Sequence, residues 1–420
     1  MSAPGADTQQ GIRRRNLARV IQAVAADGPV SRAGVAARVG LTRAAVSTLV
    51  DALLRAGLLI ETGPAVPSGR GRPGSGLAVS GTGPAGIGAE IGVDHLAVCA
   101  IDLRGRIRAR LTADAANRNS APGPVLHRLA GMITEVTDRI AALELWPAGL
   151  TVAVPGLVAR GATTVVHAPN LGWRDVDPAP VLRALTAAPQ PLTVENEANL
   201  GALAELWLGG GPDGAGTPPP DFLHVSAEVG IGAAVVVDGQ LLRGVRGFAG
   251  ELGHVPVYPG GRPCGCGARG CLEQYAGEAA VLRAAGLDPD HSGPRARVEL
   301  LARRAAAGDR ATSAALRNAG TALGIALTGA VHLLDPEVVL LGGALARLAP
   351  WLLPSLEREL TARSAVAPHP GAASRVQVSA SRWGADGPLL GAAHAALRAV
   401  LDDPLGRHRT DAVSRRLSGE

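Results

Sequence analysis

Gly250-Glu251-Leu252-Gly253-His254, continued by Cys264-Gly265-Cys266-Gly267-Ala268-Arg269-Gly270-Cys271-Leu272-Glu273, holds the densest chemistry of a 420-residue chain. Three of the four cysteines fall within eight positions as Cys-x-Cys-x4-Cys, with His254 shortly before them. Thiolates and imidazole are zinc's preferred ligands and a structural site uses four, so Cys264, Cys266, Cys271 and His254 predict one closed tetrahedral Zn2+ site. Glycines at 260, 261, 265, 267 and 270 let the chain turn tightly enough for ligands two and five apart to meet on one ion. A disulfide would instead suit a secreted protein, and the N-terminus MSAPGADTQQ has no signal peptide's apolar core, so a cytoplasmic chain with reduced thiols is expected. Cys99 lies in an apolar run and is expected in the core. Glu251, one helical turn before His254, and Glu273, two residues after Cys271, would be fixed by the same metal clamp. Rigid carboxylates beside an imidazole suit the hydroxyls of a sugar.

Glu-x-Gly-His followed by Cys-x-Cys-Gly-x-x-Gly-Cys-x-Glu resembles the signature of the ROK family, which joins bacterial sugar kinases and sugar-responsive transcriptional repressors. The resemblance implies an α/β fold: a two-lobed, actin-like ATPase (sugar kinase-like) domain over residues 81–402, with a structural zinc site. Further similarity lies in residues 151–158, a buried strand entering a Pro155-Gly156 turn, in the loop 168–173, and in 338–344, which resembles the adenosine-side motif. On this resemblance the sugar-binding residues are Gly156, Asn196, Glu197, Glu251, His254 and Glu273.

Phosphoryl transfer needs a glycine turn for phosphate, a carboxylate for metal and a base for the sugar hydroxyl. The family's kinases carry Asp-x-Gly-Gly-Thr where this chain has Glu90-Ile91-Gly92-Val93-Asp94. Val93 is expected to put a β-branched side chain where bare backbone approaches phosphate, and Asp94 adds negative charge. The second phosphate loop, Gly-Thr-Gly-x-Gly in the family, reads Glu228-Val229-Gly230-Ile231-Gly232 and loses its hydroxyl. Glu197 replaces the catalytic Asp, a degenerate base position one methylene longer, and a displacement of about 1 Å can cost on the order of a hundredfold in rate. ATP use is therefore not expected, and no residue is assigned a catalytic role.

The N-terminal part has a different character. Residues 1–80 carry 10 Arg against 4 acids, a net of +6, while the remaining 340 carry 31 against 32. Such an excess fits a polyanion partner. Apolar residues at Leu17, Val20, Ile21 and Val24 give one face of a helix over 12–26. Ser31 and Thr42 are caps for two more, and Val46, Leu49, Val50, Leu53 and Leu54 form the stripe of the third. Three helices with a tight Gly40-Leu41 turn before the last predict a helix-turn-helix. Arg43, Ala44, Ser47 and Thr48, off the buried stripe at the start of the third helix, are the candidates for reading base edges. Strands at 58–60 and 77–79 make it winged. Between them, Arg70-Gly71-Arg72-Pro73 matches a minor-groove hook whose arginines sit in the negative potential of an A·T-rich groove.

Aromatics are 2% of the chain, so the core is expected to be Ala, Val and Leu, and no apolar run is long enough for a membrane span. The expected organisation is a winged helix-turn-helix over 1–80, an effector-binding body over 81–402 and a polar tail over 403–420. The expected function is a sugar-responsive DNA-binding regulator, a repressor of carbohydrate genes, acting as a homodimer or dimer of dimers on an inverted-repeat operator. Its effector is a sugar or sugar phosphate. An active sugar kinase with a DNA-binding head, and a ligand-independent DNA-binding regulator, are the alternatives.

Overall fold

A computed structural model of the chain describes residues 8–64, 75–186, 191–209, 219–289, 293–363 and 376–406. Arg70, Arg72 and the tail beyond residue 406 lie outside the described residues.

The head has helices Gln9–Asp27, Arg32–Val39 and Arg43–Arg55. Each starts at a hydroxyl: Thr8, Ser31 and Thr42 accept from the amides of Gly11, Gly34 and Ala45 at 3.1–3.2 Å. The Thr8 cap starts the first helix three residues before the start expected from apolar spacing. Gly40, at φ 65°, makes the turn into the third helix. Leu17, Val20, Ile21 and Val24 pack with Val35, Val39, Val46, Leu49, Val50 and Leu53 in one core. The wing pairs Leu59–Pro64 with Ser75–Val79, and a two-residue strand, Val30–Ser31, adds a third member that is too short for periodicity to reveal.

The body contains two five-stranded sheets of the same topology. The first runs, edge to edge, Leu192–Asn196, Leu145–Val154, Gly83–Ile91, His95–Asp102, Ile107–Asp114. The second runs Gln377–Ala380, Val338–Gly342, Phe222–Ala227, Ile231–Val237, Gln240–Leu242. In each, the lobe's first strand is central, antiparallel to its second and parallel to its fourth. Helix Pro122–Ala141 covers the outer face of the first sheet and helix Gly343–Arg363 that of the second, with helix Arg310–Leu334 packed against Gly343–Arg363.

Between the sheets lie two helices. Glu197–Leu208 packs on the second sheet, Gly387–Asp402 on the first, and the two pack on each other. Small residues set that spacing: a Cβ on Gly391 would stand 2.0 Å from the Leu200 carbonyl oxygen, and one on Gly86 2.0 Å from that of Ala393.

The head rests on the same layer. Helix Gln9–Asp27 packs on Gly387–Asp402, and the head's core continues into Leu389, Leu397, Val400 and Leu401. Gln22 Nε2 donates to Asp402 Oδ1 at 3.2 Å. Two arginines grip the connection: Arg104 Nε donates to the Val79 carbonyl at 3.0 Å and Arg108 Nη1 to that of Gly81 at 2.7 Å. No helix among the described residues is long and apolar enough to cross a membrane.

Two glycine substitutions should separate close packing from backbone freedom. Gly391→Ala is expected to destabilise by about 1–3 kcal/mol, the usual cost of overpacking. Gly131→Ala, on an exposed helical site with nothing within 4 Å of the added carbon, should stabilise by about 0.5–1 kcal/mol. Denaturant midpoints check both, and a neutral Gly391→Ala would contradict the close contact.

Candidate metal centre and sugar cleft

A short 3-10 turn, Leu252–His254, and a one-turn helix, Glu273–Ala276, bracket the cysteine loop. Gly270, at φ 76°, passes so near Tyr258 that a Cβ would stand 1.8 Å from its carbonyl oxygen. The chain's two tyrosines support the loop: the rings of Tyr258 and Tyr275 meet edge to face at 4.7 Å, and the Tyr275 hydroxyl accepts from the Arg262 amide at 2.9 Å. The donor atoms of His254, Cys264, Cys266 and Cys271 thereby converge within 4.8 Å of one another. Cys264 Sγ lies 3.7 Å from His254 Nδ1, and Cys266 Sγ 3.7 Å from Cys271 Sγ. Four ligands on bonds of about 2.3 Å around a tetrahedral zinc would sit about 3.8 Å apart, so the donor set fits that ion in type, number and spacing. Cys99 is buried elsewhere, where desolvation pushes its thiol up to about 12.

With Nδ1 turned to the thiols, the other nitrogen of His254 faces outward, 3.8 Å from Glu251 Oε2. Desolvation and the nearby Glu273 carboxylate raise the Glu251 carboxyl, against the pull of His254. Glu273 Oε2 accepts from the Ile231 amide at 3.3 Å, which Gly230 permits, since a Cβ there would meet the same oxygen at 2.6 Å. Opposite, Asn196 caps helix Glu197–Leu208: Oδ1 accepts from the amides of Ala198 and Asn199, and Nδ2 donates to the Gly156 carbonyl at 2.8 Å. Asn196 thus fixes Gly156 and the helix start, and one amide hydrogen remains for a ligand. Glu195 anchors the arrangement by accepting from the Asn196 amide, from Asn199 and from Arg243. Gly230 lies beside both Glu273 and Asn170, and Gly232 against Ala198, so the two sides share one mouth.

The phosphate end departs from expectation. Val93 does not project into the cleft; it is buried in the core of the first lobe, because the backbone after the strand directs its side chain inward. Asp94, the neighbouring departure from the kinase motif, stands 3.5 Å from Arg297 Nη2. Arg297, itself buried, donates to both oxygens of Glu278 at 3.0 and 2.9 Å, so an acid-base-acid set joins the lobes where phosphate would approach. Behind it, Glu90 is 2% exposed, with Oε1 lacking a hydrogen-bond partner and His95 Nε2 3.5 Å away. Burial alone would lower the His95 imidazole, but Glu90 raises it overall. Burial and then Glu90 push the Glu228 carboxyl up to about 7, and burial, then Glu228 and Glu90, hold Glu197 well above the usual carboxylate range. A cleft of about 880 Å3 opens beyond, lined by Asp94, His95, Glu228, Arg295, Gly343 and Ala344 among others.

On the head, Arg43, Ala44 and Thr48 are exposed at the start of the third helix, whereas Ser47 is partly buried and its carbonyl accepts from Arg32. Arg32 also pairs with Asp51 at 2.7 Å and Glu61 at 3.0 Å, tying second helix, third helix and wing together. Arg32, Arg297 and Glu278 carry no local signal, since their partners lie on other elements, whereas Glu195 also meets its neighbours Asn196 and Asn199. Glu90 and His95 flank the altered phosphate turn and were legible as its neighbours.

The ROK family model matches residues 86–399. A xylose repressor of Bacillus spizizenii is 29% identical over 396 residues, covering 94% of this chain and 98% of that protein. A solved ROK family transcriptional regulator, described as a homologue of the Escherichia coli Mlc protein, is 26% identical with a TM-score of 0.74 over 93% of this chain and 97% of that one. A ROK family glucokinase from Streptomyces griseus, solved with glucose and AMPPNP, is 26% identical with a TM-score of 0.61, covering 75% of this chain and 99% of that one. The sheets, cleft and lobes therefore follow the ROK sugar-kinase-like fold.

Purified protein is expected to carry about one zinc per chain, and Cys266→Ser to lose both the metal and several degrees of thermal midpoint, because ligation energy is folding energy. Elemental analysis and melting of the two proteins check this; stoichiometric zinc in the variant would refute the ligand set.

Proposed function

Since the chain belongs to the ROK family, we propose that it is a sugar-responsive, DNA-binding transcriptional repressor of carbohydrate-metabolism genes. Residues 1–80 form the DNA-reading head, 81–402 the effector body and 403–420 a polar tail. The observation that carries the reading is the seat of the winged head on helix Gly387–Asp402, whose other side packs on the helix that starts at Asn196 and Glu197. Full-length similarity to a xylose repressor and to a solved ROK regulator supports it.

In this reading His254, Cys264, Cys266 and Cys271 hold one structural Zn2+, which supplies rigidity and takes no part in bond making. His254 then presents its second ring nitrogen, with Glu251 and Glu273, as one wall for sugar hydroxyls. Asn196, Gly156 and Glu197 make the other. Kinase activity is lost in this reading, because Glu197 is one methylene longer than the Asp of the family's kinases and Asp94 adds negative charge at the phosphate turn. Arg43, Ala44, Ser47 and Thr48 reach base edges in the major groove and Arg70 and Arg72 an A·T-rich minor groove. Paired heads in a homodimer or dimer of dimers call for an inverted repeat.

A sugar that draws the two walls together shifts helix Glu197–Leu208, then Gly387–Asp402, then the head. It acts on DNA only to the extent that it binds the two arrangements unequally.

Arg43→Ala is expected to weaken binding to the preferred operator by about 1–3 kcal/mol with little effect on unrelated DNA. Glu251→Ala should abolish the sugar response while ligand-free operator binding stays near wild type. Fluorescence anisotropy on the gene's upstream DNA, with and without a sugar panel, measures both. Equal loss of DNA binding with and without sugar in Glu251→Ala would make that residue a support of the fold. ATP-dependent phosphorylation of any hexose in the panel would restore the kinase reading.

A further inference from the structure

Resting on the sugar-sensor reading, we infer that residues 243–250 form a bridge that sets the spacing between the two walls of the sugar site, with Arg243 as the positioning residue. The segment belongs to the second lobe at both ends. It leaves strand Gln240–Leu242, is closed on itself by the Ala249 amide donating to the Arg243 carbonyl at 3.2 Å, and returns to the second sheet, where the Gly250 carbonyl accepts from the Ala233 amide at 3.0 Å. Glu251 of the sugar wall is the next residue.

Between those ends the segment rests on the first lobe. Arg243 donates from Nε to Glu195 Oε2 at 2.9 Å, and its Nη2 lies 2.9 Å from the same oxygen. The carbonyls of Gly244 and Arg246 accept from the side chain and the amide of Arg160 at 3.2 and 3.1 Å. Gly247, at φ 98°, passes so close to strand Leu157–Val158 that a Cβ would stand 2.7 Å from the Val158 carbonyl oxygen. Val158 is part of the first lobe's core, so the surface under the bridge is fixed.

These contacts fall beside the residues of the opposite wall. Glu195 immediately precedes Asn196, and its other oxygen, Oε1, accepts from the Asn196 amide and from Asn199 Nδ2, both at 2.9 Å. Val158 stands two residues after Gly156. One carboxylate therefore holds the helix start with one oxygen and the bridge with the other, and the chain from Arg243 to Glu251 carries that constraint across the cleft. A metal on His254 and the three thiols orders the Glu251 wall within its own lobe, and the bridge orders it against the other lobe.

The ion pair is worth little to stability: Arg243 is 38% exposed, and at such a site solvent screening and side-chain ordering offset most of the attraction. Its effect lies in preorganisation. If the walls without Arg243 are in register about a tenth of the time, the apparent dissociation constant for sugar rises about tenfold with no contact to the sugar lost.

The test is isothermal titration of D-glucose, D-mannose, D-xylose and N-acetyl-D-glucosamine into the full chain, then of whichever binds most tightly into Arg243→Gln, Glu195→Gln and the double variant. Zinc content and a cooperative melt near that of wild type report that each variant is folded. Each single change should weaken the sugar by about tenfold, and the double should be no weaker than about the larger of the two, because both remove one link. Arg243→Lys, which keeps the cation, takes the place of Arg243→Gln if the latter does not fold, with a loss of about threefold expected. Unchanged sugar affinity in the folded Arg243 variant, or losses that multiply in the double variant, overturns the bridge and leaves the sensor reading standing. Failure of every sugar to bind the wild-type chain overturns both.

Discussion

The close contact between helices Glu197–Leu208 and Gly387–Asp402 is the constraint on which the rest of the molecule depends. Gly391 against the Leu200 carbonyl, and Gly86 and Gly88 against the last helix, let two helices fit between two sheets. One of these helices begins at the proposed sugar cleft and the other ends under the head. Protein interiors are packed too tightly for such a pair to move independently, so a displacement at Asn196 is passed on rather than absorbed. In the proposed reading the fold joins an effector site and a DNA-reading surface through this packing, with the Gln22–Asp402 hydrogen bond at the head.

The second constraint is electrostatic. A kinase cleft needs a bare backbone and a cation where the phosphates lie, and this cleft has Asp94 bound to Arg297 with the buried Glu90 behind it. The Asp94–Arg297–Glu278 set crosses between lobes that a nucleotide would otherwise bridge. A buried ion set of this kind adds little stability, because desolvation offsets attraction, but it fixes a relative position. That is more useful to a sensor than to a catalyst.

Much of this was legible in the sequence because local chemistry dictated it. The Cys-x-Cys-x4-Cys spacing with its glycines located the metal donors, and hydroxyl caps with apolar spacing located the three head helices. Pairings between distant segments were not legible. Residue type suggests that Val93 obstructs phosphate, yet the backbone turns it into the core, while its neighbour Asp94 meets Arg297 across the lobes. Nothing near Arg297 in the chain announces Asp94 or Glu278 as partners. Asn196 reads as a sugar ligand, but in the structure most of its hydrogen-bonding capacity serves the helix cap and Gly156.

Hydrogen-deuterium exchange on the full chain, with and without a saturating bound sugar, tests the central claim most directly. Transmission through the helix pair predicts altered protection in Glu197–Leu208, in Gly387–Asp402 and in the head helix Gln9–Asp27, beyond the cleft itself. Changes confined to the cleft loops, with Gly387–Asp402 and the head unaffected, would contradict it.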